Sequence, residues 1–471
     1  MATLKGIAPD GGLYVPAAFP SLGDIAGFLK MDYAALAAKV LTLFFDDIAD
    51  MGALTRQAYA SFDDSSVAPV ERIAPGEFVM ELWHGPTLAF KDMALSVLPR
   101  LMTAAMRKTD SKDVLILVAT SGDTGKAALE GFRDVERTRI IVFYPNEGVS
   151  DMQRLQMVTQ EGSNTDIVAV RGNFDDAQNG VKAIFGDAQF SDTVGERGYA
   201  LSSANSINFG RLAPQIAYYI WAYAQLMERG EIADGEKINF VVPTGNFGNI
   251  LAAYYAKKMG LPIAKLICAS NKNNVLTDFF NKGEYSLKRE FHKTMSPSMD
   301  ILISSNLERL LFELVGRDAN AVGDMMRRLK DEGAYAIGGA AKAELDADFY
   351  ADWCSEEETM ACIKDTFERY GYLLDTHTAV AAGVYEKYKA TGDKTKTVVV
   401  STASPYKFPQ DVLKSLGADT QGLSAFDMAQ RLCDMTGMAI PQQIKDLESK
   451  DVIHDKVVDV DAMPDAVLAG L

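Results

Sequence analysis

The amino-acid sequence predicts an α/β protein built on parallel sheets. Two features lead to this fold class: short, continuously apolar runs alternate with helical stretches, and two of the runs end in glycine-rich turns that precede a helix. Continuously apolar runs are typical of parallel strands that are covered on both faces. Strands and helices in alternation indicate βαβ units. The chain of 471 residues is long enough for about three domains and a large core.

The strands and helices follow one another along most of the chain. Strands are expected at 114–119, 139–144, 166–170, 237–242, 265–269 and 397–400. The clearest helices are expected at 33–45, 126–132, 209–226 and 250–259. Residues 275–370 are richer in charge and mostly helical in pattern, which indicates an insertion or an extra lobe.

The composition is that of an ordinary globular protein, with 48% hydrophobic and 24% charged residues. The formal net charge of −17 repels nucleic acid and anionic membranes, so neither is expected as a partner. No stretch is long and apolar enough to span a bilayer, and the first residues lack the pattern of a signal peptide. We therefore expect a cytoplasmic protein. A small anionic ligand remains compatible, because glycine-rich turns and helix N-termini bind phosphate with few lysines.

Cysteine and histidine spacing give no sign of a metal site. The four cysteines have no CxxC spacing, and the four histidines form neither an HExxH nor an HxH pattern. A disulfide framework and a thiolate metal centre are both disfavoured. No metal is predicted as a cofactor.

The first glycine-rich turn lies in ATSGDTGKAALEGF, residues 119–132. It follows a buried strand and opens a helix, at the sheet edge where α/β proteins bind ligands. The spacing excludes a P-loop, because Thr120 stands where that motif requires glycine and Ala127 where it requires serine or threonine. A tight turn without a ligand remains an equal alternative for this segment alone.

The second glycine-rich turn, Thr244 to Asn249, repeats this design after the strand at 237–242. Its glycines and asparagines expose a run of backbone N–H groups at a helix N-terminus, which favours a phosphate site. The pattern GxGxxG is absent, so a dinucleotide fingerprint is excluded. The residues do not indicate which phosphate is bound.

A third polar cluster lies in SSANSINFGRLAPQ, residues 202–215. Asn205, Ser206, Asn208 and Arg211 could converge at the start of a helix. An arginine with amide and hydroxyl neighbours suits bidentate recognition of a carboxylate or a phosphate. The alternative is a polar helix cap beside a solvated arginine.

Lys91 raises the question of how a lysine is used at the end of an apolar run. In HGPTLAFKDMAL it follows Thr-Leu-Ala-Phe and precedes Asp92. A lysine beside an aspartate is usually a solvated surface pair. A lysine that ends an apolar run can also be a desolvated nucleophile with a lowered pKa.

These segments belong to a series of motifs that extends over nearly the whole chain. In order, they are APDGGLYVP, ELWHGPTLAFKDMAL, ATSGDTG, SSANSINFGRLAPQ, VPTGNFGN, SPSMDILISSNLERLLF, DTHTAV and STASPYKFP. In number, order and spacing the series resembles the threonine synthase family, in the branch shared by many bacteria and fungi. The resemblance implies the type II fold of pyridoxal phosphate (PLP) enzymes. Two parallel-sheet α/β lobes would enclose the cofactor, with an N-terminal segment and a helical insertion added.

The resemblance also assigns residues to the cofactor. Lys91 matches the catalytic lysine that forms a Schiff base with PLP and moves protons at the substrate Cα and Cβ. Asp123 matches the residue that faces the 3′-oxygen of PLP. Thr402 matches the hydroxyl that faces the pyridine nitrogen, which would leave that nitrogen largely unprotonated. The residues implied around the PLP phosphate are Gly245, Asn246, Phe247, Gly248 and Asn249.

The implied substrate is O-phospho-L-homoserine, which would lose its γ-phosphate and gain water at Cβ to give threonine. The residues implied around the substrate phosphate are Thr124, Asn205, Ser206, Asn208 and Arg211. Ser121 and Gly122 are implied around the carboxylate, where Thr124 could also serve. Lys407 is a further candidate for an anion contact.

The domain organisation expected from the resemblance has four parts. They are an N-terminal domain with the start of the large lobe (1–95), a small lobe (96–225), a large lobe with an insertion near 275–370 (226–420), and a helical tail (421–471). A monomer or a homodimer is expected.

Two departures and two competing functions remain open. Residues 3–6 replace a Ser-Thr-Arg-Gly stretch of the family, and Ser404 stands where some relatives have histidine. Structural roles are expected for His84 and His377, as for most hydrogen-bonded core histidines.

A dehydratase or β-replacement enzyme of the same fold would need no second phosphate site, so residues 205–211 and 296–312 argue against it. A binding protein without activity would have no reason to keep both Lys91 and Thr402.

Overall fold

The computed structural model describes residues 2–120, 122–146 and 149–471. Within them, no helix is both long and apolar enough to cross a lipid bilayer. The α-helices are α1 (Ala2–Lys5), α2 (Tyr33–Thr42), α3 (Met51–Tyr59), α4 (Asp92–Leu95), α5 (Leu98–Thr109), α6 (Asp123–Phe132), α7 (Asp151–Val158), α8 (Phe174–Gly186), α9 (Ala188–Glu196), α10 (Phe209–Glu228), α11 (Gly248–Lys258), α12 (Val275–Lys282), α13 (Leu307–Leu314), α14 (Ala319–Glu332), α15 (Gly339–Asp348), α16 (Glu356–Tyr370), α17 (Thr376–Lys389), α18 (Pro409–Ser415), α19 (Ala425–Thr436), α20 (Gln442–Glu448) and α21 (Met463–Ala469). Short 3₁₀ helices cover Ile25–Phe28, Pro297–Met299, Pro405–Lys407 and Val460–Ala462.

The strands lie between these helices. They are β1 (Val70–Ala74), β2 (Glu77–Glu81), β3 (Asp113–Ala119), β4 (Thr138–Pro145), β5 (Thr165–Val170), β6 (Tyr199–Ser202), β7 (Ile238–Pro243), β8 (Ile263–Ser270), β9 (Glu284–Ser286), β10 (Ala334–Ala336), β11 (Phe349–Trp353), β12 (Thr397–Ser401) and β13 (Val457–Val458). Each of the six strands expected from an apolar run is present, with ends within two residues of the expectation.

The larger sheet has the strand order β1-β2-β12-β7-β8-β11. β1 and β2 are antiparallel, and the other neighbouring pairs are parallel. The carboxyl ends of β2, β12 and β7 therefore meet at one edge of this sheet. Beyond these ends, the chain continues into the segments that carry Lys91, Thr402 and Gly245.

The smaller sheet has the strand order β13-β5-β4-β3-β6, and its neighbouring strands are all parallel. β3 lies near its centre and leads into the first glycine-rich turn and helix α6. Two sheets of mainly parallel strands, most of them separated by helices, confirm the predicted α/β class. Each sheet presents a glycine-rich turn at the carboxyl end of an inner strand, where α/β proteins bind ligands.

Strand β7 illustrates why continuously apolar runs form these sheets. All six of its residues are buried. Phe240 and Val242 pack into the core that includes α10 and α11, whereas Val241 packs with Val380 and Val384 of α17 on the opposite face. Because both faces are covered, polar alternation would place hydrophilic side chains in a core.

The region 275–370 differs from the expected helical insertion. Five helices, α12 to α16, do lie in it, but so does the antiparallel pair β9–β10. Strand β11 also lies within it and pairs in parallel with β8 as the sixth strand of the larger sheet. The prediction missed β11 because its sequence, FYADW, is short and carries a charged residue.

Two elements lie in different lobes from those expected. Helix α10 packs with residues of the larger sheet in one core, although the boundary at residue 225 assigns it to the small lobe. Strand β13, expected within a helical tail, pairs with β5 of the smaller sheet. The boundary at residue 225 is thus in conflict with the packing of α10, and we propose a boundary between β6 and α10.

Candidate active site

The loop that carries Lys91 pairs with the segment that follows β12. Phe90 N donates to Thr402 O over 2.8 Å, and Ser404 N donates to Leu88 O over 3.0 Å. Leu88 has a φ of 60°, a left-handed conformation that costs a non-glycine residue roughly 1–2 kcal/mol. The pairing holds this strained backbone in place and directs Lys91 into the protein, where it is only 8% exposed.

Asp92 is not the ion-pair partner of Lys91. Its two carboxylate oxygens accept hydrogen bonds from Thr87 N at 2.8 Å and Thr87 Oγ1 at 2.6 Å. A Cβ on Gly85 would come within 2.5 Å of the same carboxylate, so glycine allows the turn to close. Burial raises the pKa of Asp92 to about 6, against the two hydrogen bonds from Thr87. The aspartate beside Lys91 therefore shapes the loop, and the solvated-pair reading of Lys91 is wrong.

The ammonium group of Lys91 faces the first glycine-rich turn. Its Nζ lies 3.4 Å from Asp123 Oδ2 and 3.3 Å from Ser298 Oγ. Burial lowers the pKa of Lys91, and the charges of Lys407 and Arg211 lower it further, whereas Asp123 opposes the shift. A lowered pKa increases the fraction of free amine near neutral pH, as a nucleophilic lysine requires.

Asp123 is the anion around which the site is built. It accepts a hydrogen bond from Gln153 Nε2 at 2.9 Å and another from Ser298 Oγ at 3.3 Å. Lys407 Nζ lies 3.0 Å from its Oδ1, closer than Lys91 lies to its Oδ2. Burial alone would raise the pKa of Asp123, but Lys407 and Lys91 hold it well below its usual range.

In the rest of the first turn, the backbone at Gly122 lies next to the side chain of Gln153. Gly122 has a φ of 143°, and a Cβ there would lie 2.6 Å from the Gln153 side chain. Both the backbone conformation and the space require glycine. Thr124 is half-buried in the first turn of α6. Ser121, a predicted substrate contact, lies outside the described residues.

The ammonium group of Lys407 makes three contacts within the protein. Its ammonium contacts Asp123 and also donates to Thr87 O at 2.9 Å and Gln156 Oε1 at 3.2 Å. A lysine ammonium has three donors. The predicted contact between Lys407 and a substrate anion would require one of these three contacts to break.

The second glycine-rich turn packs against the 3₁₀ helix at 297–299. A Cβ on Gly245 would lie 2.8 Å from Ser298 O and 3.2 Å from the Cα of Met299. Ser304 Oγ donates to Gly245 O over 2.7 Å. The same short helix thus supports the turn at Gly245 and presents Ser298 Oγ to Lys91.

Phe247 and Asn246 hold the shape of this turn. Phe247 adopts a φ of 66°, and its ring stacks on Phe280 in the core with centroids 5.9 Å apart. Asn246 O accepts from Asn306 N at 3.1 Å and from Asn306 Nδ2 at 3.0 Å. The side chain of Phe247 therefore anchors the turn, and only its backbone remains to face a ligand.

The turn leaves several donors without a protein acceptor. Among the described residues, none accepts a hydrogen bond from the backbone N–H groups of residues 245–250. Asn249 Oδ1 accepts from the hydroxyl groups of Tyr218 and Tyr219, each at 2.6 Å, and the buried Asn249 Nδ2 has no acceptor in the same part of the chain. A run of free N–H groups at the N-terminus of α11 fits a phosphate group.

The start of helix α10 is fastened to the N-terminal segment. Asn208 caps the helix by accepting from Gly210 N at 2.9 Å, and its Nδ2 donates to Thr3 O at 2.8 Å. Ser202 Oγ donates to Leu4 O at 2.8 Å. These contacts use backbone carbonyls of residues 3–4, so they do not depend on the side chains in which this segment departs from the family. They also give Asn208 a structural role, and its contact with a substrate phosphate stays a prediction.

Arg211 is buried beside this cap, with 5% exposure. Its Nη1 donates to Ala204 O over 2.8 Å, and its buried Nε has no acceptor among the described residues. Burial lowers the pKa of Arg211 to about 10. Ser206 donates to the exposed Asn205 over 3.2 Å at the rim of the same segment. The solvated-arginine alternative is therefore wrong.

The family follows from comparison with known proteins. The model described as Pyridoxal-phosphate dependent enzyme matches residues 69–352. Those described as Threonine synthase N terminus and Threonine synthase, C-terminal match residues 1–59 and 378–467. Threonine synthase of Pseudomonas aeruginosa is 40% identical over 88% of this chain and 86% of its own length. The chain belongs to the threonine synthase family.

A human relative and a solved structure extend this result. Human threonine synthase-like 1 is 43% identical over 88% of this chain, which spans only 57% of that protein's length. The crystal structure of PLP-bound threonine synthase from Brucella melitensis matches with a TM-score of 0.89 and 37% identity, over 100% of this chain and 96% of that one. The predicted type II fold of PLP enzymes is confirmed.

Within this family fold, sequence reasoning missed the residues that join the two segments predicted to bind anions. Arg309 is 1% exposed and donates to Tyr14 O at 2.9 Å, Asn306 Oδ1 at 2.6 Å and Ile207 O at 2.6 Å. Asn306 in turn holds Asn246, so Arg309 links the turns at 205–208 and 245–249. An arginine inside the apolar run LERLLF was the available signal.

The contacts of the two histidines favour structural roles. His84 lies between Asp63 and Glu81, with ring nitrogens 2.8 Å from each carboxylate. Burial lowers the pKa of His84, but these two partners outweigh it and raise the pKa to about 9. His377 Nδ1 lies 2.9 Å from Asp375 Oδ2, and its Nε2 accepts from Ser298 N at 3.2 Å. His377 thereby supports the segment that faces Lys91.

Proposed function

We propose that this protein is a threonine synthase, which converts O-phospho-L-homoserine and water to L-threonine and phosphate in the last step of threonine biosynthesis. One observation carries the proposal: the buried amine of Lys91 lies near two segments suited to anions. The short helix that contacts Lys91 through Ser298 also packs against Gly245 of the second glycine-rich turn. The charge of Arg211, in the segment at the start of α10, also lowers the pKa of Lys91. One anion site suits a cofactor phosphate and the other a phosphorylated substrate.

The residues present fit pyridoxal 5′-phosphate. Lys91 would hold the cofactor covalently, and residues 245–249 would hold its phosphate through their free N–H groups. Asp123 and Thr402 would face the 3′-oxygen and the ring nitrogen. The cofactor, when bound, supplies an electron sink that stabilises substrate carbanions.

Proton transfer is the proposed task of Lys91. A free amine can take protons from the substrate Cα and Cβ, and the ammonium so formed can return protons at Cγ and Cα. Asp123 and Ser298, within 3.4 Å and 3.3 Å of Nζ, would stabilise the ammonium that forms between these steps. Lys91, Asp123 and Arg211 are each at most 8% exposed, so bulk water is largely excluded from these charges.

Substrate binding is assigned to the rims of the two lobes. Arg211, with Asn205 and Ser206, would hold the γ-phosphate, because a guanidinium with a free N–H gains a charge-assisted hydrogen bond. Backbone groups of the first turn, near Gly122 and Thr124, would hold the carboxylate at the N-terminus of α6. Ser121 is proposed for the same contact.

The test of this function is spectroscopic and chemical. The purified protein with PLP should show a yellow absorption band that borohydride bleaches, and peptide mapping should find the reduced adduct on Lys91. The same preparation should release phosphate from O-phospho-L-homoserine and form threonine. Ketoacid from serine or threonine without phosphate release would indicate a dehydratase, and a protein that stays colourless with added PLP would overturn the proposal.

Arg211→Ala should raise KM for O-phospho-L-homoserine. Loss of a charge-assisted contact costs roughly 1.5–3 kcal/mol, which corresponds to about a ten- to hundredfold change. Steady-state kinetics measure this change. Arg229→Ala, at the far end of the same helix, removes contacts to Val70 O and Gln225 and serves as the control. Unchanged KM and kcat in Arg211→Ala would remove this residue from the site.

Location and assembly complete the proposal. The four cysteines are free thiols, which fits the reducing cytoplasm proposed as the location. A monomer or a homodimer is proposed.

A further inference from the structure

Lys407 is a buried lysine whose role the proposed chemistry leaves open. Its side chain has 0% exposure, and its ammonium has three acceptors within 3.2 Å. Lys91, by contrast, has two contacts of 3.3 and 3.4 Å. Two lysines therefore share Asp123, and Lys407 is the better bonded of the two.

We propose that Lys407 is a positioning residue that keeps Asp123 ionised and leaves Lys91 free to release its proton. This inference rests on the proposed role of Lys91. It assigns Lys407 to the protein's own charge balance and removes it from substrate binding.

The charges around Asp123 support this assignment. With both lysines protonated and Arg211 nearby, the buried cluster has three cations against two anions, Asp123 and Asp92. Release of the Lys91 proton removes one excess positive charge, while Asp123 keeps Lys407 as its counterion. Because unpaired buried charge is costly, the cluster favours release from the lysine with the weaker contacts.

The charged groups that face Lys91 come from each element packed around it. Asp123 lies on α6, Lys407 on the 3₁₀ helix at 405–407, and Arg211 on α10. His377 of α17 acts on Asp123, and Asp92, next in the chain, is hydrogen-bonded to Thr87. Burial, Lys407 and Arg211 lower the pKa of Lys91, and only Asp123 raises it among these causes.

Removal of Lys407 should therefore make Lys91 hold its proton more tightly. The repulsion from Lys407 is lost, and Asp123 is left with Lys91 as its nearest ammonium. The pH midpoint for reaction of the free amine should rise by roughly one unit, the usual effect of one close charge. Below the midpoint, this shift slows reaction about tenfold.

The experiment measures the capture of PLP by the cofactor-free protein as a function of pH. Lys407→Met should shift the midpoint of the capture rate upward, and Lys407→Arg should restore most of the wild-type midpoint. Lys126→Met is the matched control. Lys126 is also buried and lies on the same helix as Asp123, but its partners are Glu130 and Gln160.

The outcomes separate this inference from the proposed function. A Lys407→Met protein with the wild-type midpoint would overturn the inference, as would an equal shift in Lys126→Met. Failure of the wild-type protein to capture PLP at any pH would overturn the proposed function. If Lys407→Met does not fold, Asp123→Asn is compared with the double variant Asp123→Asn/Lys407→Met. The double variant should have the higher midpoint, and equal midpoints would contradict the inference.

Discussion

Replacement of Lys91 by alanine should abolish threonine formation and leave the fold intact. The variant loses the amine that would hold the cofactor and move protons at Cα and Cβ, and no second lysine with a free ammonium faces Asp123 among the described residues. The fold should persist because Asp123 keeps Lys407 as a counterion at 3.0 Å. Because the variant loses one excess buried cation, its unfolding temperature should equal or exceed that of the wild-type protein.

Threonine and phosphate formation from O-phospho-L-homoserine measure the activity, and circular dichroism with thermal unfolding measures the fold. Lys126→Ala is the control, since it removes a buried lysine from the helix that carries Asp123 without touching Lys91. Turnover of Lys91→Ala at the wild-type rate would show that another residue carries the chemistry.

Gly245→Ala is expected to weaken PLP binding by at least about tenfold, the equivalent of roughly 1.4 kcal/mol. The new methyl group would lie 2.8 Å from Ser298 O and 3.2 Å from the Cα of Met299. Both neighbours are backbone atoms, so the segments must move apart, at a cost typical of overpacking, roughly 1–3 kcal/mol. The movement distorts the N–H groups of the turn and draws Ser298 away from Lys91.

Fluorescence titration of PLP and denaturant unfolding measure the two effects of Gly245→Ala. Gly323→Ala is the control, because this glycine lies within α14 and a Cβ there meets no atom within 4 Å. The control should gain up to about 1 kcal/mol of stability, since alanine is the better helix former. Unchanged PLP affinity in Gly245→Ala would indicate that the cofactor phosphate does not rely on this turn.

Much of the fold could be predicted because its strands are covered on both faces. Runs such as 240–242 and 398–400 are apolar at every position and lie in strands that are buried throughout, and this local pattern is sufficient to predict the strands. The failures have a common cause. Strand β11 and helix α10 depend on which sheet they pack against, and a short polar strand or a long apolar helix does not encode that choice locally.

The candidate site was predictable in its segments and less so in its contacts. Lys91 contacts Asp123, and the short helix that contacts Lys91 also packs against Gly245, whereas the roles of these residues stay predictions. Ser298 was missed, because it meets Lys91 across 207 residues of sequence.

The sequence by itself determined the α/β class, the two glycine-rich turns at strand ends and the proposal of Lys91 as the reactive residue. These follow from local periodicity, from turn chemistry and from motifs whose order is visible along the chain. Only the tertiary structure decided the partners of the charged groups. Asp92 accepts a hydrogen bond from Thr87 and forms no ion pair with Lys91. Lys407, which is 320 residues from Thr87 in sequence, donates to Thr87 O and is the counterion of Asp123. The physical reason is that an ion pair depends on distance and burial in space, and a sequence records only residue type and separation along the chain.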